Sequence, residues 1–256
     1  MRMSVLGAGR VAHHLAKVLV KQHQIIDVYS RTLSSAQQLA EQVGANAVTQ
    51  VQVLDPEIDL AIIAVSDQAI QSVISEVAPY LKDVLIVHTS GSTHLDVLSH
   101  IHARAGVFYP LQTFSFESQI DWANTPLFIE AKYEQDQAQL LTLADQISQR
   151  VYAYNSEQRL SLHLAAVFAC NFSNSCFAMA KQVLDAQHVD FSLLYPLMRE
   201  TTHKATQHDP KQVQTGPAIR GDQHILNMHQ QMLMDAKRED LQQVYALMSQ
   251  QIQQQQ

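Results

Sequence analysis

Six residues near the start of the chain, Gly7-Ala8-Gly9-Arg10-Val11-Ala12, have the types and spacing to hold a phosphate. They form a G-x-G-x-x-A run. The first glycine permits a tight turn, the second lets the backbone approach a pyrophosphate, and a small final residue lets a helix pack closely on a strand. An apolar segment, Met3-Ser4-Val5-Leu6, precedes the run, and a helical pattern follows it from Val11. In that setting the N–H groups at the helix start face the anion and the helix dipole favours it. Gly7, Ala8, Gly9, Arg10 and Val11 are therefore expected to contact the pyrophosphate of a dinucleotide.

A second group of residues bears on which dinucleotide. Sites that select NAD place an Asp or Glu about 20 residues beyond the glycines, at the end of the second strand, to bond the ribose 2′-hydroxyl. Here that strand, Ile25–Tyr29, runs into Ser30-Arg31-Thr32, and the nearby acid, Asp27, lies too early inside it. Two hydroxyls and a guanidinium suit a 2′-phosphate, which Arg can clasp with two bonds. The expectation is NADP in preference to NAD, held by Ser30, Arg31 and Thr32; the alternative is that Arg31 is a solvated charge and Thr32 caps the next helix.

The elements that position these residues are legible as a pattern. Through residue 155 short β-branched runs alternate with helical stretches, the mark of a parallel sheet covered by helices. The strand candidates are Met3–Leu6, Ile25–Tyr29, Leu60–Ala64, Leu85–His88, Val107–Tyr109 and Leu127–Glu130, with a weaker one at Ala47–Val48. From residue 156 the pattern is helical, over Glu157–Leu184, Ser192–Thr206 and a C-terminal helix from about Gln223. The fold class expected is an α/β Rossmann-type parallel-sheet domain, 1–155, followed by an all-α C-terminal domain, 156–256.

Composition narrows the partners. The net charge of -7 argues against nucleic acid, whose binding relies on Lys and Arg neutralising phosphates. No uninterrupted apolar run reaches the ~18 residues of a membrane span and no signal-peptide pattern opens the chain, so a cytoplasmic, soluble protein is expected. The two cysteines, Cys170 and Cys176, are expected as buried helix thiols. The thirteen histidines include His13-His14, but none sits at metal-site spacing to a carboxylate, and no metal is expected.

Several further segments carry a resemblance: Ala64-Val65-Ser66-Asp67, His88-Thr89-Ser90-Gly91-Ser92, Tyr109-Pro110-Leu111-Gln112-Thr113-Phe114, His163 to Asn174, and Gly216-Pro217-Ala218-Ile219-Arg220-Gly221-Asp222. With the glycine run, they make the chain similar to the NADP-binding β-hydroxyacid dehydrogenase superfamily. Relatives there include pyrroline-carboxylate reductase, ketopantoate reductase and deazaflavin-dependent NADP reductase. More closely, the chain resembles a bacterial branch with a Rossmann-like domain followed by a helical domain of unknown function. The resemblance covers nearly the whole chain. It implies that Val65 and Ser66 border the cofactor, with Asp67 capping the following helix. His88, Ser90 and Ser92 follow a strand at the carboxyl edge of the sheet, where ligands bind, and could bond a substrate or the nicotinamide amide; turn chemistry around Gly91 is the competing reading. Tyr109–Phe114 could wall the crevice or pack between domains.

A dehydrogenase of this superfamily presents a catalytic lysine about one turn before an asparagine. Val167 and Cys170 stand four residues before Asn171 and Asn174, and Lys181 comes about two turns too late. Hydride transfer to a carbonyl or imine needs a proton donor. His163, two turns before Asn171, is the candidate, with Asn171 or Asn174 orienting substrate and Arg220 meeting a carboxylate; packing of His163 and an Arg220–Asp222 ion pair are the structural alternatives. The function expected is an NADP-dependent oxidoreductase acting on a small carboxylate-bearing carbonyl, imine or alcohol. A catalytically inactive NADP-binding regulator or scaffold is the alternative. The helical half is expected to make a homodimer.

Overall fold

Eight strands of three to six residues assemble the sheet, one more than the sequence pattern implies. They are β1 (Arg2–Leu6), β2 (Gln24–Tyr29), β3 (Asn46–Val48), β4 (Leu60–Ile63), β5 (Leu85–His88), β6 (Ala105–Pro110), β7 (Leu127–Ala131) and β8 (Val151–Ala153). The computed structural model describes residues 1–255. It divides into two units, Met1–Phe168 and Ala169 onward.

In the first unit the strand order is β3-β2-β1-β4-β5-β6-β7-β8, parallel throughout except for the antiparallel pair β6–β7. The order reverses between β1 and β4, and in open sheets of this kind the crevice beyond the carboxyl ends at such a switch receives the ligand. The helices are α1 (Arg10–Leu19), α2 (Leu33–Val43), α3 (Asp67–Val77), α4 (Asp96–Ser99), α5 (Glu134–Asp145) and α6 (Ser156–Ala166). Every residue of β4 and β5 is buried, as expected for strands covered on both faces. One core packs Val5, Ile62, Val87 and Phe108 under Ala12, Leu15, Leu39 and Leu140, and the other packs Leu6, Ile63 and Val107 under Ile70 and Ile74. Each such large side chain contributes about 1.5–3 kcal/mol on burial, as an upper estimate. Helix ends follow local chemistry: α2 stops at Gly44, whose φ of 68° is left-handed, and α6 starts in a capping box between Asn155 and Gln158.

The second unit is helical. A π-helical turn, Val167–Phe172, joins α6 to α7 (Ser173–Asp185); α8 (Tyr195–Gln207), α9 (Gln223–Asp235) and α10 (Glu239–Gln253) follow. The buried apolar side chains from Ala169 onward are Ala218, Leu226 and Leu241 among the described residues.

Several expectations need correction. β8 carries no strand signal in the sequence reading, because it is three residues long and two of them are exposed. The single C-terminal helix is two, broken where Lys237 takes a φ of 55°. Cys170 and Cys176 are exposed rather than buried, since neither the π-helical turn nor α7 buries any residue. The helical run Ser156–Asp185 is long and apolar enough to cross a membrane by length and composition, with mean hydropathy 1.2 and none of the window buried. The expectation of no such span rested on uninterrupted apolar runs, which this helix breaks with polar residues.

Candidate functional site

The glycine turn is built as its spacing requires. Gly7 donates its N–H to the Tyr29 carbonyl at 2.8 Å, tying the end of β1 to β2. Its φ is +128°, and a Cβ there would stand 2.3 Å from the Ala64 carbonyl oxygen, so only glycine fits between β1 and β4. Ala12 is fully buried, letting α1 pack on the sheet. Gly9 differs: a Cβ there would meet nothing within 4 Å, because it would point into open space. That space is a cleft of about 690 Å³ lined by Gly7–Val11, Ser30, Arg31, Val65 and Ser66, within the range of small-molecule sites. Gly9 caps α1 without a side-chain bond and the first turn holds no acid, so the helix start is left to an anion. A cradle of this form, open where a side chain at Gly9 would stand, fits a dinucleotide pyrophosphate.

At the end of β2, Ser30 and Arg31 face this cleft, while Thr32 caps α2 with no side-chain bond and is not among the lining residues. Asp27 is 2% exposed and its carboxylate is consumed inside the fold: it accepts from Ser4 Oγ at 3.2 Å, Asn46 Nδ2 at 3.3 Å and the Asp55 N–H at 3.0 Å. It cannot reach a ribose. The acid that does line the cleft is Glu76, on α3.

Ser66, not Asp67, occupies the cap position of α3. Asp67 instead accepts from Ser92 Oγ, linking the ends of β4 and β5. Between them Ser90 Oγ accepts from the N–H groups of Ser92 and Thr93, at 3.1 and 2.9 Å. Ser90 and Ser92 thus hold the loop together. His88 lies beneath it, fully buried; its Nδ1 accepts from the Ser90 N–H at 3.1 Å, so the proton sits on Nε2, which has no hydrogen-bond partner among the described residues. Burial, with Arg159 nearby, drives its pKa down to about 3, and the ring stays neutral.

Two residues that the sequence reading missed fix this loop. Arg159 on α6 is 1% exposed and donates to the carbonyls of Ser90 and Thr93. It pairs with Glu130 on β7 at 2.9 Å, and Glu130 also accepts from Ser156 Oγ at 2.7 Å. Burial lowers the Arg159 pKa, with Glu130 opposing. No motif marks such a pair, since its members lie 29 positions apart.

His163 is half-buried on α6 and meets Tyr109, at the carboxyl end of β6: Tyr109 Oη stands 3.3 Å from His163 Nδ1. Burial pushes the Tyr109 hydroxyl up to about 12, so it remains protonated at neutral pH. Either group can donate in this contact, so Tyr109 is placed to set which ring nitrogen of His163 carries the proton. Gly91 packs on this pair so closely that a Cβ would lie 2.6 Å from both His163 Nδ1 and Tyr109 Cζ. The loop after β5 thereby brings Ser90, Gly91 and Ser92 together with Tyr109 and His163.

The remaining candidates belong to the second unit. Asn171 is exposed within the π-helical turn, whose wider register replaces the α-helical spacing, and Asn174 is exposed in the first turn of α7. Arg220 is exposed, and Asp222 caps α9 by accepting from the Ile225 N–H at 3.2 Å rather than pairing with it. No cluster of metal-ligating side chains exists among the described residues.

Comparison with known proteins agrees with this geometry. Residues 2–91 match the model described as NADP oxidoreductase, coenzyme F420-dependent, and residues 125–252 match the domain of unknown function DUF2520. A crystal structure from Bacteroides fragilis, assigned as an NADP oxidoreductase, is 39% identical over 99% of this chain and 98% of its own, with a TM-score of 0.92. A Thermotoga maritima protein, TM1727, is 21% identical over 99% of this chain and 97% of its own, at a TM-score of 0.73. An imine reductase from Myxococcus stipitatus in complex with NADP+ shares the fold at 14% identity and a TM-score of 0.72, over 99% of this chain and 93% of its own. No curated protein matches the sequence. With a Rossmann sheet, an open cleft at its glycine turn and both family models in order along the chain, this protein belongs to the DUF2520 family of NADP oxidoreductase-like proteins.

Proposed function

We propose that the protein is an NADP-dependent oxidoreductase that acts on a small carboxylate-bearing carbonyl, imine or alcohol. The observation that carries the reading is the cleft itself: an open glycine cradle flanked by Ser30 and Arg31, with the acid of β2 turned into the fold. NADPH supplies the hydride when bound. The chain supplies binding, orientation and a proton: Gly7–Val11 hold the pyrophosphate, Ser30 and Arg31 the 2′-phosphate, and Val65 and Ser66 border the cofactor. His163, its Nδ1 held beside the Tyr109 hydroxyl, is the proton-handling group. Ser90 and Ser92, fixed by Arg159, shape the loop beside it. Asn171, Asn174 and Arg220 are proposed as substrate contacts on their chemistry rather than their placement.

Consumption of NADPH with a panel of keto acids and cyclic imines tests the reading. One observation favours a second one: no lysine stands a turn before Asn171 or Asn174. An NADP-binding regulator would bind NADPH without consuming it. The assembly proposed is a cytoplasmic homodimer through the helical unit. From Ala169 onward that unit buries three apolar side chains among the described residues, while Leu197, Met232 and Leu247 stand exposed, too small a core to stand unaided. A second copy completes it most simply.

A further inference from the structure

The adjacent histidines His13 and His14, which fit no metal spacing, have another use. Both lie on α1, one turn beyond the glycine cradle. His14 Nε2 donates to the Ser115 carbonyl at 2.6 Å, and its ring lies 5.6 Å from that of Phe114, which is 6.1 Å from Trp122. His13 meets the Phe116 ring edge-on at 5.5 Å. These contacts pin the segment between β6 and β7 to α1. The turn carrying Phe116 is closed by a 2.7 Å bond between the Ser115 and Ser118 hydroxyls. Phe116 then stands on the wall of the same cleft as Gly9 and Arg10, yet it is 51% exposed and belongs to neither apolar core.

A large apolar ring held at its edge, half in water and beside an anion cradle, adds little to the fold beyond its contact with His13. Its exposed face is available to a ligand, and an aromatic face suits a ribose or a nicotinamide ring. We propose that Phe116 is a cofactor-contacting residue, which His13 and His14 hold so that its ring covers the bound dinucleotide over the Gly7–Val11 turn. The proposal rests on that cleft being the nucleotide site.

NADPH itself is the probe, and no substrate is needed. Trp122 is the sole tryptophan and sits in the segment that carries Phe116, so energy transfer from it to bound NADPH reads occupancy. Phe116→Ala should raise the NADPH Kd about tenfold. The NADPH-free melting temperature should fall only slightly, because the ring lies outside the cores and loses just its edge contact with His13. Phe116→Leu, which keeps apolar bulk without the ring face, should fall between, and it decides the matter if the alanine variant does not fold. His14→Ala should weaken NADPH with Phe116 intact, since the anchor to Ser115 is gone. Gly9→Val is the control for the cleft and should abolish the signal in a folded protein. Unchanged NADPH affinity in both Phe116 variants, with binding lost in Gly9→Val, overturns the role of Phe116 alone. Full binding by folded Gly9→Val overturns the cleft assignment and the proposal with it.

Discussion

Arg31→Ala separates the two cofactors. Arg31 lines the cleft at the carboxyl end of β2, is exposed, and forms no ion pair with an acidic side chain among the described residues. Its guanidinium is therefore available to a 2′-phosphate without first breaking an internal contact. A hydrogen bond to a charged group is worth about 1.5–3 kcal/mol. Exposure and salt bring this one to the lower end. At about 1.4 kcal/mol per decade, NADPH affinity should fall about tenfold. NADH lacks the phosphate and should change by less than about twofold. Calorimetric titration of both cofactors against both proteins measures this directly, and the difference for NADPH should narrow as salt is raised. Equal losses for NADPH and NADH would rule out a 2′-phosphate contact at Arg31, as would an unmodified protein that binds NADH as tightly as NADPH.

His163→Gln should lower turnover about 10²–10⁴-fold, the usual contribution of a general acid, with NADPH affinity unchanged; steady-state rates and calorimetry separate the two effects. Breaking the buried Arg159–Glu130 pair by Arg159→Met should cost about 3–5 kcal/mol in a urea titration, because it strands a carboxylate 15% exposed; adding Glu130→Leu should recover part of the loss. His88 sets a pH dependence. Its folded pKa, about 3, lies below the ordinary 6.5, so the unfolded chain takes up the proton first and stability falls as pH drops between these values. The slope should reach about 1.4 kcal/mol per pH unit from this group, flattening below pH ~3. Denaturation of the unmodified protein and His88→Gln across that range should show a slope shallower by up to about that amount in the variant.

What the sequence discloses is what local chemistry determines. The glycine run, the strand before it and the helix after it are contiguous, so steric need and the helix dipole are readable from neighbours alone. The absence of an acid after Tyr29 is readable in the same way. Features made by distant partners are not. Asp67 looks like a helix cap by position, yet its carboxylate meets Ser92, 25 residues away. Arg159 looks like one more helix charge until the fold buries it against Glu130 and the loop after β5. The break at Lys237 has no glycine or proline to announce it, and the helix simply ends where a left-handed residue is tolerated. His13 and His14 are visible as a pair, but their partners, Ser115 and Phe116, come from a segment about a hundred residues on.

Hydride transfer is the central claim, and isotope tracing tests it most directly. NADPH deuterated at the nicotinamide C4 would be incubated with the protein and a mixture of cyclic imines, keto acids and a deazaflavin, and the acceptors analysed by mass spectrometry. Deuterium should appear on the reduced carbon of one acceptor, with NADPH consumed in proportion and the label absent when Gly9→Val is used. Tight NADPH binding with deuterium in none of the acceptors would contradict hydride transfer.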